Sequence, residues 1–105
     1  MRIYLANQSG TGVVTLGPTK ISGNTDLITI HKLLICNNDN TDISFNLYLN
    51  DGSDSYYLGR SIVVPLLTTL DFFAEGTPYM YEKKYELKLN LTNAGYVADT
   101  HLLID

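Results

Sequence analysis

An uninterrupted alternation of apolar and polar residues over Ile43-Ser44-Phe45-Asn46-Leu47-Tyr48-Leu49-Asn50 constrains this chain more than any other feature. Successive side chains of a strand point to opposite faces. The run therefore predicts a half-buried strand, with Ile43, Phe45, Leu47 and Leu49 inward and Ser44, Asn46, Tyr48 and Asn50 outward. Tyr85-Glu86-Leu87-Lys88-Leu89-Asn90-Leu91-Thr92 repeats the pattern. Turn-forming residues bound both runs: Asn37-Asn38-Asp39-Asn40, Asp51-Gly52-Ser53-Asp54 and Asn93-Ala94-Gly95. Helical spacing occurs at Val63, Leu66, Leu67 and Leu70, but Pro65 and Thr68-Thr69 limit it to one turn.

Further strands are expected at residues 2–6, at Val13–Leu16 before Gly17-Pro18, at Leu27–Cys36, and at 56–64 before Pro65. Leu70–Ala74, Tyr79–Glu82, Tyr85–Thr92 and Tyr96–Ile104 complete the set. Within Leu27–Cys36 the alternation slips at Leu33-Leu34, which calls for a bulge or for burial of both faces. Short strands with turn signals every ~8–12 residues mark a sandwich or barrel. The expected fold is all-β: a single antiparallel β-sandwich, Ig-like or jelly-roll-like, of about eight strands. It spans residues 1–105 as one domain, with residues 1–24 forming an arm or edge-strand segment.

A chain of 105 residues with 45% apolar content can bury a core without disulfides. Charged residues make up only 17%, and Asn, Thr, Ser, Gly and eight Tyr fill the deficit. The net charge is −4 and no basic run exceeds Lys83-Lys84, which argues against nucleic acid as a partner. No apolar run approaches the ~18 residues of a membrane span, and the N-terminal segment is too poor in apolar residues for a signal peptide. A soluble product of the cytoplasm is expected. The lone Cys36 follows Leu33-Leu34-Ile35 and reads as a small core hydrophobe.

The sequence offers little to catalysis. His31 and His101 lie outside any spaced ligand motif, so no metal site is expected there. The Asn/Asp loops carry the hard oxygens calcium prefers, but neither has the spacing or closing Glu of an EF-hand, and both read as turns. No nucleophile elbow or phosphate loop is present, so the chain is expected not to be an enzyme and to need no cofactor. Tyrosine, by contrast, suits interfaces, because it buries a large ring at low entropy cost and keeps a polar handle. Tyr48 is expected on an outer face, and one of the adjacent pair Tyr56 and Tyr57 must join it. With Asn46 and Arg60 these residues form the expected interface. Exposed rings also suit sugars.

The segment Ile28-Thr29-Ile30-His31-Lys32-Leu33-Leu34-Ile35-Cys36-Asn37-Asn38, the alternating strand 43–50, the stretch Tyr57-Leu58-Gly59-Arg60-Ser61-Ile62-Val63-Val64-Pro65 and the closing strand pair around Asn93-Ala94-Gly95-Tyr96-Val97 follow one another in a suggestive order. In these motifs, over roughly residues 25–104, the chain resembles the small β-sandwich virion proteins of tailed bacteriophages. It departs from their pattern at Leu66-Leu67 and at Glu82-Lys83-Lys84. The resemblance implies a structural protein of the virion, assembled from host cytoplasm. Such a protein would be a capsid decoration (cement) protein on the outer capsid, or a tail, neck or baseplate accessory in low copy. It implies the major capsid protein or other virion proteins as partners, together with homo-oligomerisation. A carbohydrate-binding module for receptor recognition is the reading of another class.

Overall fold

The structure, a computed structural model, describes residues 1–73 and 78–105. Among them nine strands follow in chain order: β1 (Arg2–Ser9), β2 (Val14–Leu16), β3 (Leu27–Cys36), β4 (Ile43–Asn50), β5 (Ser55–Val64), β6 (Thr69–Asp71), β7 (Tyr79–Glu82), β8 (Glu86–Leu91) and β9 (Val97–Ile104). All pairings are antiparallel. One sheet runs β1-β9-β3, with β6 and β7 sharing the far edge of β3, and the other runs β2-β8-β4-β5. The two short strands β6 and β7 occupy one strand position, so nine segments fill an eight-position sandwich. The first strand pairs with the last, and the chain changes sheet at most connections. This is jelly-roll order, whereas an immunoglobulin sheet pairs its first strand with its second.

The alternations do what strand geometry requires. Ile43, Phe45, Leu47 and Leu49 of β4 and Leu87, Leu89 and Leu91 of β8 are buried from one sheet. Ile28, Ile30, Leu33, Ile35, Ala98, Leu102 and Ile104 meet them from the other. Each of these Leu, Ile and Phe side chains contributes about 1.5–3 kcal/mol by leaving water. Phe45 lies at the centre, with its ring edge-on to Phe72 at 6.0 Å between centroids.

Strand β3 carries the predicted slip, but upstream of the two leucines. The register with β9 shifts between Ile30 and Lys32, so His31 is the extra residue. Inward positions change from Ile28 and Ile30 to Leu33 and Ile35 across this bulge. Leu34 and Cys36 therefore point to the outer face. Cys36 is half-buried there, 3.3 Å from the Asn38 Oδ1 it bonds, and is not the core hydrophobe its apolar neighbours suggested.

Strand β1 runs beyond the expected residue 6, in register with β9 as far as Ser9↔Val97. The buried Gln8 amide donates to the carbonyls of Gly10 and Gly12, which ends the strand and turns the chain toward β2. Pro65–Thr68 makes a single turn, with the Thr68 N–H donating to the Pro65 carbonyl at 3.2 Å. Strand β6 stops at Asp71. The expected strand end at Ala74 lies outside the described residues.

Candidate functional site

The outer face of the four-stranded sheet gathers four of the five side chains singled out from the sequence. Tyr48 of β4 and Tyr57 of β5 are directly opposite in register, with ring centroids 5.1 Å apart. The Arg60 guanidinium lies over the Tyr57 ring at 4.3 Å, within the range of cation–π attraction. A break in β5 makes this possible. Between Leu47 and Phe45 of β4 the register jumps from Gly59 to Ile62, and Ser61 takes a left-handed backbone (φ 50°). The Asn46 Oδ1 accepts the Ser61 N–H at 2.9 Å and so holds the bulge. Asn46 thus acts on the bulge beside the aromatic pair, and its amide nitrogen approaches Asn90 Oδ1 at 3.5 Å.

Beside this pair the surface is polar and ordered. Glu86 accepts from the Lys20 N–H at 3.0 Å and from the Lys88 ammonium at 3.0 Å, and Lys88 also donates to Thr15. The Lys20 main-chain bond, then the Lys88 bond, hold the Glu86 carboxyl below its ordinary value. The arrangement is a platform with an aromatic–arginine group on its β4–β5 side and hydrogen-bonding side chains beside it on β8 and β2. Such a surface can bury area and form directional bonds.

Tyr56 turns away from the platform, as strand alternation demands of a neighbour of Tyr57. Its ring meets Tyr85 edge-on at 5.9 Å. The two belong to a cleft of about 400 Å³ at the open flank of the sandwich, lined also by Leu49, Tyr79, Tyr81 and Glu82. The face of Tyr79 stacks on Phe73 at 5.1 Å. Lys84 lies 5.3 Å from the Tyr85 ring centre and 3.7 Å from Glu82. The Tyr56 phenol is raised chiefly by the nearby Asp54 charge, and Tyr79 is raised by burial. Burial pushes Tyr81 up to about 12. These hydroxyls stay protonated at neutral pH and can act as donors.

Sequence reasoning did not single out the cleft, because Tyr56 of β5 is distant in sequence from the stretch Tyr79–Tyr85 against which the fold places it. It also passed over an apolar loop tip. Leu66 and Leu67 are exposed, and Leu67 is held at φ 53° by its N–H bond to the Asp39 carbonyl. Two adjacent leucines where a turn calls for polar residues were the available signal.

In the loop after β4, Asn50 and Asp51 accept from their own main chain, whereas Asn38 and Asp42 of the loop after β3 bond Asp99 and the Leu66 N–H. Asp51 accepts from the N–H groups of Ser53 and Asp54, which lowers its carboxyl, and Asn50 accepts from Gly52. His31 lies 2.8 Å from Asp105, and its bond lowers that carboxyl. Among the described residues no three His, Cys, Asp or Glu side chains come together in a group fit to hold a metal ion. Comparison of the chain with family models, curated proteins and solved structures finds no match.

Proposed function

We propose that this chain is a structural protein of a bacteriophage virion, a capsid decoration or cement protein that binds the outer capsid surface and self-associates. The observation that carries the reading is the Tyr48–Tyr57–Arg60 platform on the outward face of the four-stranded sheet. Tyrosine and arginine are the residue types that anchor protein interfaces, and here they adjoin polar side chains of the same sheet face. The jelly-roll order is also used by many capsid domains, which supports the reading by analogy of fold alone. The motif resemblance of residues 25–104 points the same way. Many copies on a lattice would let each contact be weak. The reading assigns the chain no catalytic step and no cofactor. Presence in few copies, as a tail, neck or baseplate accessory, is the variant of the same reading.

A second reading, a carbohydrate-binding module, is favoured by the tyrosine cleft, where rings for stacking adjoin phenol hydroxyls and the Glu82 carboxylate. The deciding measurement is the copy number of the chain in purified particles, by quantitative mass spectrometry against the major capsid protein. Hundreds of copies are expected, and a handful would move the chain to the tail or neck. Complete absence, with glycan binding by the isolated chain that Tyr56→Ala abolishes, would replace assembly with sugar recognition.

A further inference from the structure

The sandwich has four exposed edges among the described residues, and three of them are guarded by devices that discourage strand addition. Strand β2 is three residues long, and β6 and β7 are three and four. Strand β5 is long but broken at Gly59–Ser61 and carries Arg60. Short length, bulges and charges are the ordinary protections of an edge. Strand β1 is neither short nor bulged. It runs eight residues in unbroken register with β9, without Pro or Lys, and its one charge is at Arg2.

The face of β1 adds to the anomaly. Arg2, Tyr4, Ala6 and Gln8 pair with Ile104, Leu102, Thr100 and Ala98, all buried, so the even residues face inward. The odd residues face out, and Ile3 and Leu5 are 65% and 68% exposed. Leu103 lies beside Ile3 on that face, and Leu34 lies one strand beyond His101 in the row of Leu5. The main chain follows the same parity. The Gly10 N–H bonds the Tyr96 carbonyl, which in this register assigns even-numbered groups to β9. The N–H and C=O groups of Ile3, Leu5, Asn7 and Ser9 are left to the open edge.

We propose that two copies of this chain pair through β1, antiparallel and centred on Leu5, so that two five-stranded sheets continue as one across a twofold axis. This names the surface for the self-association in the assembly reading, and rests on that part of it. A second copy is the occupant because the edge is self-complementary. Outward-pointing groups sit on odd residues, so only registers that match odd with odd join the strands, and these also keep both apolar faces on the same side. Centring on Leu5 sets Leu5 against its symmetry mate and Ile3 against Asn7. A paired length of ~27 Å puts the contact at the small end of specific interfaces. The dimer is therefore concentration-dependent.

The test is sedimentation velocity of the purified full chain over a concentration series. Wild type is expected to pass from monomer to dimer. Leu5→Lys sets like charges opposite each other at the axis and should remain monomeric. Leu5→Pro should do the same with its melting temperature nearly kept, because the N–H it removes is not used by β9. Leu27→Lys, at an exposed leucine away from β1, should dimerise as wild type does. Hydrogen exchange adds a second readout: the amides of Ile3, Leu5 and Asn7 should gain protection as concentration rises. A monomer at every concentration overturns the proposal, as does a dimer that survives Leu5→Lys with those amides unprotected. A monomer in solution that is abundant in particles would sink β1 pairing and leave the assembly reading standing. A β1 dimer absent from particles would do the reverse.

Discussion

The Asn37 side chain is used entirely on main chain, and this makes it the residue on which the loop after β3 depends. Its Nδ2 donates to the carbonyls of Thr41 at 2.8 Å and Val64 at 3.0 Å, and its Oδ1 accepts the Asp39 N–H at 2.9 Å. The residue is 1% exposed, so water cannot replace these bonds. Asn37→Ala should cost about 1–3 kcal/mol, the penalty of stranding buried polar groups. Asn37→Asp should cost more at neutral pH than in acid, since a carboxylate would face carbonyls it cannot donate to. Urea denaturation of both variants at two pH values checks this. The sequence marked Asn37 as turn chemistry and no more, because its partners at Val64 and Pro65 are far along the chain. Tyr48 was legible as an outward residue from alternation alone and Tyr57 only as one of an adjacent pair, whereas their contact depends on a β4–β5 register that two local bulges set.

At the scale of the strand, β3 and β5 show how one extra residue redirects a face. Two adjacent leucines told that β3 must slip but not where, and the bulge fell at His31, which reversed Cys36. In β5 the break rests on Gly59, where a Cβ would lie 2.8 Å from Ile62 Cγ1 and 3.2 Å from Phe72 Cε1. No side chain fits there without moving the core beneath. Gly59→Ala should therefore destabilise by about 1–3 kcal/mol, and should also disturb the placing of Arg60 on Tyr57. Thermal melts give the first effect. A changed tyrosine near-ultraviolet circular dichroism signal gives the second, and its absence would show that the bulge is held by Asn46 alone. Strands β3, β4 and β7 were legible to their ends, because turn residues flank them. The split of one strand position into β6 and β7 had no local signal.

For the whole molecule, two groups set opposite limits in pH. Glu86 titrates below its ordinary 4.5 when folded, so its contribution is complete above that pH and is lost as pH falls through the folded value. Tyr81 is raised from 10.0 to about 12, and among the described residues its buried hydroxyl has no hydrogen-bond partner. Its contribution is complete below pH 10 and declines as pH rises toward that folded value. A melting-temperature profile against pH should fall on both sides. Glu86→Gln should flatten the acid limb, and Tyr81→Phe the alkaline limb with little change at neutrality. Unchanged limbs in both variants would place the titrating groups elsewhere. The sandwich itself was legible in composition and alternation. The choice of jelly roll was not, since it is decided by which distant strands pair.

The pairing of β1 with β9 also orders events in time. Among the described residues the one hydrogen-bonded neighbour of β1 is β9, the last of the nine strands to emerge. Until residues 97–104 leave the ribosome, β1 has both edges open, and β3 lacks its central neighbour. The five-stranded sheet therefore closes only after β9 has emerged, while β4 and β5 can pair as soon as they emerge. During that interval the nascent chain presents an apolar strand that could join any other open edge, including that of a sister chain on the same message. A pause in synthesis anywhere between β1 and β9 should accordingly favour aggregation of this protein more than a pause before β1 emerges.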